Sequence, residues 1–281
     1  LGLVGESGCG KTTLGRAIVG LELPRAGHIR FQGQDWTALS PRDQRAQRPH
    51  LQMIFQNPYQ SLNPRLTVGE IVTEGLRAHR RLADHERDPI AGRLLAEVGM
   101  GDEALHRFPH EFSGGQRQRI SIARALALHP QLVVCDEAVS ALDVSIRAQI
   151  LNLLIDLRHR HGLAYLFISH DLSVVRAIAH RVAVMYLGRI VEIGDVAEVL
   201  QQPRHPYTRL LRQSVLEPGR PRRPAGIAGG EVPSPSHPPP GCPFHPRCPY
   251  AIDRCRIEPP LLQAALPQPH HLTSCHRQDE I

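Results

Sequence analysis

Lysine is all but missing from this chain of 281 residues: Lys11 stands alone, and the other 32 of the 33 basic side chains are arginine. Aromatic residues are scarce too, at 4%. That excludes a stacking platform for single-stranded nucleic acid, which needs ring after ring along a groove. No run approaches the ~18–20 consecutive apolar residues of a helical membrane span. Long blocks of like charge are absent as well. The net charge of +6 is dispersed among acidic residues, so it describes a mildly basic, solvated surface and not a nucleic-acid footprint. Cysteine is thin: of six, Cys9 and Cys135 sit isolated in apolar surroundings and four follow residue 240. Isolated core thiols fit a reducing compartment.

What remains is an ordinary globular composition, 41% hydrophobic and 21% charged, with length for one large core and a small appendix. "LGLV" at 1–4 reads as a strand running into a glycine-rich turn. "KTTLGRAIVGL" follows as a helix with Leu14, Ala17, Ile18 and Leu21 on one face. Further strands are expected at 51–55, 131–137 and 163–170, and a hairpin at 181–194. Helical patterns dominate from 57 to about 128 and return between 145 and 162. Strands alternating with helices predict an α/β fold with a largely parallel sheet. Residues 218–240 hold eight prolines and read as a linker, and 241–276 read as a separate small cysteine module.

The first motif explains the lone lysine. Residues 5–13, GESGCGKTT, fit the phosphate-loop pattern between a strand and a helix. Gly5, Gly8 and Gly10 let the backbone N–H groups, with that of Ser7, converge on phosphate oxygens at a helix N-terminus. Lys11 is expected on the β- and γ-phosphates of ATP, Thr12 on Mg²⁺, and Thr13 beside them. A tightly wrapped loop needs a compact point charge on a thin stem, which a planar guanidinium is not.

Two further motifs belong with it. "LVVCDE" at 132–137 is an apolar strand ending in acids: Asp136 suits a Mg²⁺ carboxylate, and Glu137 can polarise an attacking water. In "FSGGQ", Ser113 caps a helix whose first N–H groups, bared by Gly114 and Gly115, form a second anion site.

This set resembles the nucleotide-binding subunits of ABC transporters: GESGCGKTT, Gln56 after a strand, FSGGQ, VVCDE, SALD at 140–143, and Ser169-His170-Asp171. The motifs come in the family's order over roughly residues 1–200, with Phe112 where leucine is usual. The resemblance implies a P-loop NTPase (RecA-like) core over 1–56 and 129–200, a helical signature subdomain over about 57–128, and an extension over 201–281. It gives Glu137 as catalytic base, His170 on the γ-phosphate, and Gln56 on metal and lytic water. It puts Ser113, Gly114, Gly115 and Gln116 on ATP held by a second subunit, with Asp143 where the two meet. The family has some tens of residues before this loop. The four here lead us to expect a truncated chain that binds ATP more weakly than an extended one.

"HPYTRLL" at 205–211, "DEAVSALDVS" and "FQNPYQSLNPR" resemble the ATPases of oligopeptide and dipeptide importers, most closely the F-type subunit that pairs with a D-type one. The resemblance implies a second ATPase subunit (a heterodimer, alternatively a homodimer), two permease subunits, a solute-binding protein, no nucleic acid, and a place on the cytoplasmic face of the membrane. Nickel and glutathione importers share these marks. A soluble ABC-type ATPase of DNA repair or translation is the rival from another class, and a redox sensor with a vestigial ATPase is a third reading. Cys242, Cys248, Cys255 and Cys275, spaced x5, x6 and x19, lack paired zinc knuckles. Four thiolates are nonetheless expected to hold a [4Fe–4S] cluster or Zn²⁺, with His245, His271 and His276 as alternative ligands.

Overall fold

A computed structural model describes residues 1–79, 82, 84–214, 231–265, 268–278 and 280–281. In chain order the elements are β1 (Gly2–Val4), α1 (Lys11–Ile18), β2 (Arg30–Phe31), β3 (Gln34–Asp35), α2 (Pro41–Gln47), β4 (Leu51–Ile54), α3 (Pro58–Ser61), α4 (Val68–His79), α5 (Asp84–Glu97) and α6 (Gly114–Leu126). Then come β5 (Leu132–Asp136), α7 (Val144–His161), β6 (Ala164–Ser169), α8 (Leu172–Ile178), β7 (Arg181–Tyr186), β8 (Arg189–Asp195), α9 (Val196–Gln201), α10 (Pro206–Ser214), α11 (Asp253–Ile257), β9 (Gln263–Ala265) and β10 (Gln268–Thr273). The chain forms two compact units, Thr12–Leu166 and Leu1–Lys11 with Phe167–Ile281.

In the unit Thr12–Leu166, β4 and β5 pair in parallel, Leu51 opposite Leu132 through Ile54 opposite Cys135. Both are apolar runs, as strands covered on both faces must be, and Val133, Val134 and Cys135 are fully buried. Helices α4, α5 and α6 pack on one another around Ile71, Val72, Leu95, Ile120 and Ile122. Helix α1 stops three residues short of the expected end. Gly20, at φ +73°, turns the chain so that its N–H meets the Ala17 carbonyl and the Leu21 N–H meets that of Arg16. This paired closure ends a helix on glycine. Leu21 therefore leaves the predicted apolar face and is 56% exposed, while Gly15 and Val19 are buried. A Cβ on Gly20 would lie 2.4 Å from the buried Trp36 ring.

In the other unit, β1 lies between Phe167–Ser169 of β6 and β7, parallel to both. The expected hairpin is present: β7 and β8 are antiparallel around Leu187 and Gly188, both at positive φ, the turn that matches strand twist. The tail is not a separate module. Its strand β10 pairs antiparallel with β8, Leu272 opposite Ile193, and β9 pairs with β10. The buried Glu192 of β8 fixes this arrangement. Its carboxylate contacts His271 Nε2 at 2.6 Å and accepts the backbone N–H groups of Arg204 and His205 at 2.8 and 3.0 Å. His271, an expected alternative metal ligand, is thus committed to a carboxylate. Of the expected linker, 218–230 lie outside the described residues, and 231–240 carry neither helix nor strand.

Candidate functional site

The phosphate-loop residues stand as the motif requires, after a buried strand and at the start of a helix. Gly5 has no room for a side chain, since a Cβ would lie 2.2 Å from the Met185 carbonyl oxygen. Gly8 and Gly10 take φ of +78° and +103°, backbone that side chains rarely tolerate. Lys11 is 5% exposed, and its ammonium donates to the carbonyls of Gly5 at 2.8 Å and Glu6 at 2.9 Å. Cys9 shares this pocket, with its Sγ 3.8 Å from Lys11 Nζ. Burial raises its thiol pKa, against the pull of the ammonium. Ser7 is exposed at the loop's tip.

In the unit that begins at Thr12, the Thr12 hydroxyl donates to the Asp136 carboxylate at 3.1 Å. Asp136 ends β5 and is 3% exposed. The next residue, Glu137, is held at φ +46°, a strained backbone of the kind that clusters at functional sites. Ser140 holds it there: its N–H and hydroxyl both donate to the Glu137 carbonyl, at 3.1 and 2.9 Å. The Glu137 side chain accepts the Gln56 amide at 2.9 Å. Thus β4 and β5, paired in register, deliver Gln56 and Glu137 to each other. Thr13 is exposed on α1.

The signature segment builds the expected cap. Ser113 Oγ accepts the Gln116 N–H, and the Gln116 side chain accepts the Ser113 N–H at 2.9 Å, a reciprocal capping box. Ser113 and Gln116 are exposed, and Gly114 and Gly115 half-exposed. A Cβ on Gly115 would lie 2.6 Å from Ile146 of α7. Asp143 precedes α7 and is exposed, and its side chain makes no capping bond. His170 is exposed beyond the end of β6, so it is no core histidine. Asp171 beside it caps α8 by accepting the Ser173 N–H at 2.8 Å.

Two supports escaped the sequence reading. Arg117, buried in α6, donates to the Pro109 carbonyl at 2.7 Å and lies 3.6 Å over the Tyr59 ring, while Arg124 donates to the Ser61 carbonyl. They tie α6 to the segment just after Gln56. Only their place after the signature glycines could have suggested them.

Cys242, Cys248, Cys255 and Cys275 line one small cavity with His205, Phe244, His245 and His276. Burial, reinforced by the neighbouring thiols, raises Cys242 and Cys248 to about 11. Among the described residues, however, no group of three or more His, Cys, Asp or Glu side chains is arranged to hold a metal ion. Those residues therefore give no support to the expected [4Fe–4S] cluster or Zn²⁺. The histidines offered as alternatives are engaged: His245 Nδ1 is 3.0 Å from the Cys242 carbonyl and His276 Nε2 is 2.8 Å from that of Glu258.

A phosphate loop between strand and helix, with an acid-tipped strand joined to its threonine, defines an α/β P-loop nucleoside triphosphatase. The ABC transporter family model matches residues 1–140, and that of the oligopeptide/dipeptide transporter C-terminal region matches 191–255. A probable peptide ABC transporter ATP-binding protein of Sinorhizobium fredii is 53% identical over 98% of this chain and 77% of its own length. The oligopeptide transport ATP-binding protein OppF of Escherichia coli is 47% identical over 100% of this chain and 84% of its own. Among solved structures, a dimeric ATP-binding cassette in a post-hydrolysis state, bound to ADP and Pi, superposes with a TM-score of 0.62. It is 27% identical over 69% of this chain and 84% of that one. The chain belongs to the ABC transporter ATP-binding proteins, in the branch that carries the oligopeptide/dipeptide C-terminal region. It is an ABC ATPase.

Proposed function

We propose that the chain drives the uptake of di- and oligopeptides, hydrolysing ATP on the cytoplasmic face of a membrane complex. The observation that carries the hydrolytic part is the row of contacts at the end of β5, Thr12 on Asp136 and Gln56 on Glu137. Hard oxygen donors side by side fit Mg²⁺, which Thr12 and Asp136 would hold with the side chain of Gln56. Bound there, the ion would neutralise charge on the phosphates. Lys11 meets the β- and γ-phosphates together with the N–H groups of the loop and of Thr12 and Thr13. Glu137, oriented by Gln56 and by its own strained backbone, accepts a proton from the attacking water. His170 bonds the γ-phosphate. The capped N-terminus of α6, with Ser113, Gly114, Gly115 and Gln116 accessible, closes on ATP held by a second ATPase subunit, with Asp143 at the junction. The pocket is complete only in that pair, which couples to two permease subunits fed by a solute-binding protein.

Peptide cargo is supported by the match over 191–255 and by the relatives' names. No helix among the described residues is long and apolar enough to cross a membrane. The test is uptake into vesicles carrying the assembled complex. Labelled peptide should accumulate with ATP inside and fail to do so with Glu137→Gln. Uptake of Ni²⁺ or glutathione in place of peptide would overturn the cargo.

The shared cavity favours a second reading, for the cysteines. All four thiols line that one cavity, and four cysteines are the ligand set of a [4Fe–4S] cluster. Anaerobically purified protein should then be brown, with iron and sulfide in equal amounts. A colourless, iron-free preparation would refute it.

A further inference from the structure

Glu6, the second residue of the phosphate loop, is gripped at three points. Its carbonyl accepts the Lys11 ammonium at 2.9 Å. Its N–H donates to the Tyr207 hydroxyl at 2.8 Å. Its carboxylate receives both ends of the Arg247 guanidinium, at 2.8 and 3.0 Å. The two outer grips come from the C-terminal extension, some 200 residues downstream. Tyr207 is the second residue of α10, and Arg247 ends a short turn between Cys242 and Cys248.

Both gripping side chains are fixed before they reach the loop. Tyr207 is fully buried, with its ring centroid 4.6 Å from that of Tyr186 and 5.5 Å from that of Phe244. Arg247 is 8% exposed, and its Nη1 also donates to Tyr186 Oη at 3.4 Å. The aromatic residues so rare elsewhere gather behind this contact. A planar fork on a carboxylate fixes direction as well as distance, which a lysine in its place would not.

We propose that Arg247 and Tyr207 are positioning residues of the ATPase, which hold Glu6, and through its carbonyl the Lys11 ammonium, in the geometry that receives phosphate. The proposal rests on Lys11 being the phosphate lysine. It makes the extension part of the nucleotide site, so that a change at the cysteine-lined cavity reaches the loop through one arginine.

The variants must be chosen with the burial in mind. Removing Glu6 strands a buried guanidinium, a costly fault in itself, whereas Arg247→Met leaves Glu6, 28% exposed, to water. Tyr207→Phe deletes one hydroxyl and keeps the packing. MgATP affinity of the full chain should weaken about tenfold in Arg247→Met and in Tyr207→Phe, with melting in the absence of nucleotide unchanged. Arg247→Lys should recover part of the affinity at the same melting temperature. Glu6→Gln combined with Arg247→Met should be no weaker than the worse single variant, because both cut one contact. Unchanged affinity in Tyr207→Phe and Arg247→Met, additive losses in the double variant, or losses that merely track melting would each overturn the proposal. Lys11→Ala separates the two premises. If it binds MgATP normally, the phosphate-lysine reading fails. If it alone loses binding, only the positioning role fails.

Discussion

Gln56 and Glu137 face each other across a 2.9 Å hydrogen bond, although 81 residues separate them in sequence. Each follows directly, or by one residue, from a strand of the β4–β5 pair, so strand register sets the contact. Replacing Glu137 with Gln keeps the size but removes the proton acceptor. Turnover by the assembled transporter should fall by about 10²–10⁴-fold with MgATP binding retained. Steady-state hydrolysis and a nucleotide titration on the same preparation check this. Loss of binding in step with turnover would show that Glu137 holds the nucleotide and not the proton.

Gly115 is constrained by α7 and not by its backbone angle. Its missing Cβ leaves room for Ile146 Cγ2, which would otherwise lie 2.6 Å away. Gly115→Ala should destabilise the chain by about 1–3 kcal/mol through overpacking. Shortening the neighbour in Gly115→Ala/Ile146→Val does not remove Cγ2, whereas Gly115→Ala/Ile146→Ala does. Urea unfolding should therefore show rescue only in the second double variant.

The lone lysine makes its own prediction. The ammonium reaches two carbonyls from a site 5% exposed, with Cys9 Sγ also within 3.8 Å. A guanidinium keeps the charge but needs a wider berth. Lys11→Arg should lose MgATP affinity nearly as fully as Lys11→Ala, by isothermal titration, while its far-UV circular dichroism is unchanged. Retained affinity would show that charge alone suffices there.

Local chemistry was legible in the sequence wherever a motif carries its own geometry. Gly8, Gly10 and Lys11 announce a phosphate loop, and Ser113 announces a helix cap, because both depend on near neighbours. The Leu187–Gly188 hairpin was legible for the same reason. Strand β10 was not: whether a tail pairs with β8 is decided by the buried carboxylate of Glu192, 79 residues before His271. The end of α1 was missed because Gly20 closes the helix while Leu21 only looks like its next apolar step. Arg247 offered no sign at all, one arginine among 32. Its role exists only where the fold brings Glu6 to it.

His205, the first residue of the HPY stretch, is buried and takes the Tyr207 N–H on its Nδ1 at 3.1 Å. An acceptor nitrogen must be unprotonated, and burial pushes the imidazole down to about 4, against the pull of Glu192 towards the charged form. The unfolded histidine takes up its proton near its ordinary value of about 6.5. Between those two values the unfolded chain binds the proton and the folded one does not. The contribution is therefore complete above about 6.5 and is lost as the pH falls towards about 4, amounting to about 2 kcal/mol by pH 5. Asparagine can still accept the Tyr207 N–H but does not titrate. Denaturant unfolding at about pH 7.5 and pH 5 should therefore show a steeper loss for the natural chain than for His205→Asn, whatever the variant costs at neutral pH. Parallel losses in the two proteins would place the critical proton on another group and leave His205 a packing residue only.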